Sequence, residues 1–302
     1  MNSPIEASPS LDEKPHRVPF GSFFTWTGLQ FAVAFLAFWL IAPAALIQEV
    51  TQPLAILGWT FLLGLPLSAF EYFYHRYLLH SAVLPFLGSM HRAHRTHHGL
   101  TAVKAPVRAD QPALLVPVQN EFPVEEAHQE ESMMFPPYSI SIFYGIFLIL
   151  LALPLKLMFP AAPVVTAVIV ATTLQYTAYE FWHAITHLPY ERFWKPLMDG
   201  RRSRRLARRV YGFHLMHHLR PSCNLAVVGF WGVAVWDYAF RTHRRPERLP
   251  VAGAEVSFTD VSLKPPLFPV SVLDRAGTWA FRASRRIEAV ASRIFSRRRR
   301  NA

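Results

Sequence analysis

Apolar residues fall into four long runs, and most polar residues lie between them. The runs are Phe24–Gln48, Pro53–Tyr74, Ile140–Phe159 and Ala161–Trp182. Each has about 20 residues or more, enough at 1.5 Å per residue to cross a hydrocarbon layer of about 30 Å. Few residues separate the first run from the second, or the third from the fourth, so the pattern predicts two transmembrane hairpins. Pro43, Pro53, Pro66 and Pro154 lie in or beside the runs. Membrane helices tolerate proline where neighbours re-satisfy the freed carbonyls. A further apolar stretch, Leu225–Phe240, is shorter and ends in Trp236, Asp237 and Tyr238. Its length predicts a buried or interfacial helix rather than a fifth span.

The polar stretches complete the organisation. Residues 1–23 make a polar N-terminal tail with no short basic segment ahead of a cleavage site, so no cleaved signal peptide is expected. Residues 244–270 are rich in proline and predict a linker. Beyond it, Val272, Ala276, Trp279, Ala283, Ile287, Val290 and Ile294 recur at spacings of three and four. Residues 271–302 therefore predict a helix, with Ser271 as its cap and Asp274 three residues on. Arg285, Arg286, Arg293 and the run 297–300 make it basic and amphipathic, a pattern suited to lying on a membrane surface.

Charge then orients the spans. Lys and Arg number 31 against 20 Asp and Glu, for a net charge of +11. Such an excess serves nucleic acid or an anionic membrane equally well. Its placement decides between them. Arg76, Arg92 and Arg95 follow the second run, and Arg201, Arg202, Arg204, Arg205, Arg208 and Arg209 follow the fourth. Near the two short turns the only basic residue is Lys156, late in the third run, from which it can snorkel outward. By the positive-inside rule both termini and both long polar segments lie on the cytoplasmic side, and no nucleic-acid partner is needed to explain the arginines. The expected architecture is an all-α integral membrane protein: about four transmembrane helices in two hairpins under a cytoplasmic helical cap. A single cysteine, Cys223, leaves no intrachain disulfide, no Cys-based zinc site and no iron–sulfur cluster held by this chain alone.

The chemistry lies in the histidines. Of 14, all but His16, His128 and His243 fall into four groups: His75/His80, His91/His94/His97/His98, His183/His187 and His214/His217/His218. Residues three or four apart share one face of a helix. His183 with His187, His94 with His97 and His98, and His214 with His217 and His218 can each bind an ion together. The pair His75/His80 is five apart and needs either an unwound helix end or two different ions. His91, His94 and His98 also lie near one stripe, which leaves His91 as an alternative to His94. Ten imidazoles exceed the needs of one metal, so two ions are the economical reading. Imidazole suits Zn, Cu, Fe and Ni, and spacing alone does not choose. Ligating imidazoles usually donate their second N–H to a carboxylate or carbonyl. Glu71, one turn before His75, and Glu180, three residues before His183, are placed for that support; Asn224 and Asp237 are candidates by position. A histidine-rich metal transporter would instead need ligands near the bilayer midplane, whereas these groups sit at one membrane face.

The order HX4H, HX2HH, HX3H, HX2HH resembles the fatty acid hydroxylase/sterol desaturase family of integral membrane di-iron enzymes. The matching residues are His75/His80, His94/His97/His98, His183/His187 and His214/His217/His218. The family's later asparagine falls on Asn224, and its Trp-Asp-x-x-Phe-x-Thr ending on Trp236, Asp237, Phe240 and Thr242. Leu225 and Ala226 depart from a frequent Tyr-Gly, and Arg241 from a common glycine. The resemblance covers roughly 50–243 and implies that 24–243 is a catalytic domain whose ten matched histidines hold two irons, sites that zinc could also occupy. It implies O2 as co-substrate, hydroxylation (or desaturation) of a lipid C–H bond, and an external electron donor such as a cytochrome b5-like protein or a ferredoxin. The expected location is a bacterial inner membrane or the endoplasmic reticulum.

Overall fold

The computed structural model describes residues 20–81, 83, 88–120, 133–245 and 248–300, with no side chains described at 284 and 288–300. Most of the expected polar tail, residues 1–19, lies outside the described residues, as does His128.

Helices α1 (Phe20–Ile41), α2 (Pro43–Val50) and α3 (Pro53–Tyr74) form the first half of the membrane-facing body. In the second half, α5 (Ser139–Phe147) runs through a π turn, Leu148–Ala152, into α6 (Leu153–Met158), and α7 (Val164–Thr186) returns. Between the halves lies α4 (Gly88–Leu100); after α7 come a π turn, Tyr190–Trp194, then α8 (Lys195–Asp199) and α9 (Arg204–Leu219). Short α10 (Val235–Ala239) and α11 (Phe258–Val261) precede the long terminal α12 (Val270–Arg300). Two small antiparallel ladders tie the polar segments together: β1 (Val103–Lys104) with β3 (Gln119–Asn120), and β2 (Val116–Pro117) with β4 (Glu255–Val256).

Among the described residues, three stretches are long and apolar enough to cross a membrane: Phe20–Ile41, Pro53–Leu79 and Ser139–Met158. Their outer faces leave Val33, Leu36, Leu54, Leu57, Phe61 and Leu62 exposed. Water would penalise such a continuous apolar surface, whereas lipid accepts it. The chain is a membrane protein. The fourth expected run becomes α7, which is different in kind. It packs against α1, α3 and α5 and buries Thr166, Thr172, Gln175 and Glu180 among them. Protein on most sides, rather than lipid, is what allows α7 these polar groups.

Several expectations need correction. The first run is not one helix: it breaks at Ala42–Pro43, because proline supplies no N–H to continue the ladder. The resulting α2 turns Glu49 inward, where it accepts from Thr166 N (2.8 Å) in the first turn of α7. A carboxylate at a helix N-terminus satisfies an orphan donor and meets the positive end of the dipole. Second, Lys156 does not snorkel outward, because it reaches this same Glu49 (2.6 Å) and the Ala162 carbonyl (2.9 Å).

Third, Leu225–Phe240 is not a helix. Only Val235–Ala239 is helical, and the rest is a non-helical excursion along α3. Gly229 and Gly232 adopt φ of +62° and +93°, closed to most side chains, and a Phe230–Val233 bridge forms the tip. Trp231 Nε1 donates to Phe61 O (3.0 Å), and a Cβ on Gly64 would run into that indole. Trp236 Nε1 donates to Ser68 Oγ (3.0 Å). Non-helical backbone beside a membrane span must find its hydrogen bonds within protein. Here Glu71 accepts from Val227, Val228 and Gly229 N, Asp237 from Leu225 and Ala226 N, and Gln175 donates to Gly229 O.

The proline-rich stretch 244–270 does not stand apart from the rest. Val256 and Val261 are buried against Val116, Tyr211 and Cys223, and Ser257 with Asp260 forms a capping box on α11. Helix α12 begins at Val270, so Ser271 lies inside its first turn rather than capping it. Asp274 is bound instead to Arg76 in a two-pronged pair (2.8 and 2.7 Å) and accepts from Tyr77 Oη (3.0 Å), docking α12 beside the polar end of α3.

Candidate metal centre

The four histidine groups converge where α3, α4, α7 and α9 meet. His75 and His80 lie on either side of the turn that sequence spacing left open. The chain there is a π turn, His75–Leu79, closed by His80 N to His75 O (3.1 Å). Five-residue periodicity is what stacks residues i and i+5, and the two rings lie 5.0 Å apart at 23°. His94, His97 and His98 come from α4, His183 and His187 from the end of α7, and His214, His217 and His218 from α9.

All ten expected ligands enter the cluster. One set, His75, His80, His94, His98 and His217, can converge on one point; a second, His97, His183, His187 and His214, on another; His97, His98 and His218 join them. His91 belongs to none of these groups; its Nδ1 is bonded to Leu79 O (2.8 Å). Replacing His91 with alanine should therefore leave bound metal unchanged, as elemental analysis would check, whereas His94→Ala should lower it.

The ring nitrogens are arranged for coordination. His94 Nε2 lies 3.2 Å from His75 Nε2 and 3.1 Å from His80 Nε2, and His80 Nε2 lies 3.1 Å from His217 Nε2. On the other side His214 Nε2 is 2.8 Å from His187 Nε2 and 3.1 Å from His218 Nε2. Imidazole nitrogens held about 2.1 Å from one ion stand about 3 Å from each other. Behind the rings, Nδ1–H groups donate outward: His75 to Leu225 O (2.5 Å), His217 to Cys223 O (2.8 Å) and His183 to Met133 O (3.1 Å). Thr101 gives its own proton to His97 O, so its oxygen accepts from His218 Nδ1 (3.1 Å). Each such bond places the lone pair on Nε2, facing inward. His97 Nε2 and His98 Nε2 are buried with no hydrogen-bond partner. A buried polar nitrogen without a partner is costly, and a shared cation would satisfy both. The buried clusters can hold metal, and the donor set is entirely imidazole.

Burial, and then the neighbouring imidazoles, push His94, His97, His214 and His218 well below the ordinary histidine range, and His98 down to about 3. They are neutral at pH 7, as metal ligation requires. In metal-free protein the unfolded chain binds protons below about pH 6.5 that the folded chain refuses. Folded pKa values are depressed, so stability is complete above pH 6.5 and is lost as pH falls below it. Each such group weakens the fold by about 1.4 kcal/mol per pH unit in that window. Thermal melts of chelated protein should show a steep fall in Tm from pH 6.5 to 5, which metal loading shifts to lower pH.

The expected supporting side chains act one step further back. Glu71 and Asp237 touch no histidine; they hold the 225–229 backbone, whose Leu225 carbonyl orients His75. Asn224, at φ +53°, is pinned to Phe213 O and to both backbone groups of Arg244. Glu180 accepts from Phe135 N (3.1 Å), and its second oxygen is buried without a partner. The groups seen to hydrogen-bond the rings include Thr101, the Met133 sulfur on His97 Nδ1 (3.1 Å) and the carbonyls of Leu225, Cys223 and Met133. A backbone carbonyl leaves no mark in residue type. Thr101, three residues past His98, is the one that sequence reasoning could have found.

Three cavities adjoin the cluster. One of about 430 Å³ has His94, His183 and Glu180 on one side and Met134, Phe135 and Ile142 on the other. A smaller one, about 70 Å³, runs from His75 between Leu67, Phe70, Phe143 and Phe147; Phe135 and Tyr179 border both. A third, about 650 Å³, approaches His80 from the side of Arg76, His91, Arg95 and Asp274. Comparison with family models, curated proteins and solved structures returns no match.

Proposed function

We propose that the chain is a membrane-embedded, histidine-ligated di-iron oxygenase that hydroxylates a lipid C–H bond, with desaturation as the related outcome. The observation that carries this reading is the convergence of ten imidazoles into two adjoining donor sets bordered by apolar cavities. A binding protein would need neither the second set nor the cavities. Two bound irons would supply the O2 activation that C–H cleavage requires. The chain's own residues do the rest. Leu225 O, Cys223 O and Met133 O fix the rings of His75, His217 and His183. Phe70, Phe143 and Phe147 line an apolar path from the spans, so an acyl chain can approach without water. Arg76 and Arg95 border the opposite, polar approach to His80, where an external donor such as a cytochrome b5-like protein or a ferredoxin would deliver electrons. The positive-inside rule, applied to the arginines, supports a reading in which this face and both termini are cytoplasmic and α7 is a fourth crossing.

The test is elemental analysis of the detergent-purified chain, followed by product analysis with mixed membrane lipids, O2 and a reductant. About two irons per chain and a reductant-dependent oxygenated lipid are expected. Absence of stoichiometric metal after expression with added iron would overturn the oxygenase reading.

A further inference from the structure

A second cationic site lies away from the histidines, where the chain leaves the excursion along α3. A cavity of about 580 Å³ opens between 237–244 and Ser262–Lys264. Its walls carry Arg241, His243, Arg244 and Lys264. The one carboxylate there, Asp237, is fully buried and already accepts from Leu225 N, Ala226 N and the Thr242 hydroxyl (2.7 Å). Nearby Asp260 is committed to the backbone and hydroxyl of Ser257 (both 2.8 Å). Among the described residues, Arg241, Arg244 and Lys264 therefore line the cavity without an acidic side-chain partner.

Arg244 and His243 are held by their neighbours. Arg244 donates to Asp260 O (3.1 Å) and Thr259 O (2.6 Å), and Asn224 pins its backbone. His243 stacks on Tyr238 at 4.0 Å, and Arg209 reaches the Tyr238 hydroxyl (3.5 Å), adding a guanidinium at the rim. Burial and then Arg209 and Arg245 push His243 below its ordinary range, in keeping with a positive field there. Arg241 has φ +60°. That left-handed conformation, just after a helix, is the place where glycine is cheapest and a Cβ is penalised. A strained residue with a charged side chain at a cavity wall points to a use for the charge.

The surroundings indicate what presents the ligand. The Thr242 hydroxyl bonds Tyr72 Oη (3.1 Å), one turn before His75, so the cavity lies at the polar end of an apolar span. Leu267 N bonds Phe240 O (3.0 Å), and the flanking Phe268 (77%) and Tyr238 (49%) are both exposed. Cations beside exposed aromatic rings at that level match the headgroup layer of a bilayer.

We propose that this cavity binds a phosphate group, presented by an anionic phospholipid. The proposal is independent of the metal chemistry. The full chain, purified in a neutral detergent, would be titrated with phosphatidylglycerol, phosphatidylcholine and soluble glycerol phosphate, with thermal shift and native mass spectrometry as readouts. Phosphatidylglycerol should bind and stabilise, and Arg241→Gly/Lys264→Gln should weaken that binding by roughly tenfold or more. Arg241→Gly alone relieves the left-handed strain, so its Tm without lipid should not fall; this separates lost binding from lost folding. Arg201→Gln/Arg202→Gln, on an exposed turn, serves as the control and should bind as the wild type does. Phosphatidylglycerol binding that survives the double variant, or is lost equally in the control, would overturn the site. Equal protection by glycerol phosphate would keep the phosphate site but overturn the lipid as its ligand.

Discussion

His183→Ala/His187→Ala is expected to strip one of two bound ions and leave the other. These residues supply half of the set His97, His183, His187 and His214, and none of the set His75, His80, His94, His98 and His217. With two imidazoles left, the first position falls below the three or four protein ligands that hold a transition metal firmly. Metal content should drop from about two to about one per chain and, on the proposed oxygenase reading, lipid oxidation should fall below detection, because that chemistry would need both ions. His80→Ala/His217→Ala should strip the other ion, leaving the same total by a different route. His98 contributes to the His75 set and also to the group that joins it to His97 and His218. His98→Ala should therefore weaken both ions, giving a sub-stoichiometric total rather than a clean half. A single-ion protein would respond differently: either lesion alone would empty it or leave it full. Elemental analysis across the three variants separates these patterns even before a substrate is found. Circular dichroism and Tm must accompany it, since eight of the ten rings are buried.

Sequence carried most of this site and only part of the scaffold around it. Helical spacing is a strong local signal, so the pairs and triplets on α4, α7 and α9 were legible from residue number alone. The HX4H pair was legible as a problem, and the π turn at His75–Leu79 is its solution. Three of the four runs were legible as stretches long and apolar enough to span, because such length is set by a bilayer rather than by tertiary contacts; the fourth became the largely buried α7. What failed depends on partners distant in sequence. Leu225–Phe240 is as apolar as a helix. Its path is set by Glu71, some 156 residues from Val227, and by two glycines at positive φ. Lys156 was expected to seek water, but Glu49, 107 residues away, offers it a buried carboxylate. Glu71 and Asp237 were rightly singled out as charges in apolar surroundings, but their hydrogen bonds come from backbone amides and, for Asp237, the Thr242 hydroxyl, not from imidazoles. An ionised group in such a place must bind something, and residue type does not say what.

That indirect role makes Glu71 the most consequential residue outside the ligands. Its two oxygens accept from Val227 N (2.5 Å), Val228 N (2.9 Å) and Gly229 N (2.9 Å). Glu71→Leu leaves three amides without partners where water does not reach them readily, at about 1–3 kcal/mol each. Against a typical total stability of about 5–15 kcal/mol, that loss should lower Tm sharply or prevent folding. Glu71→Gln keeps one acceptor oxygen but turns an NH2 group toward amide donors, so it should fold with a smaller loss. Its effect on metal is the informative part. The 225–229 segment that Glu71 holds carries the Leu225 carbonyl, which takes the Nδ1–H of His75 at 2.5 Å. Loosening that carbonyl frees the His75 ring to rotate and to change tautomer. Loss of such an outer support typically costs about 10–100-fold in metal affinity. Chelator titration of Glu71→Gln should therefore release the ion of the His75 set first, while the His183 set keeps its own. Simultaneous release of both ions would show that the carboxylate supports the fold as a whole. Unchanged affinity would show that Leu225 O does not depend on Glu71.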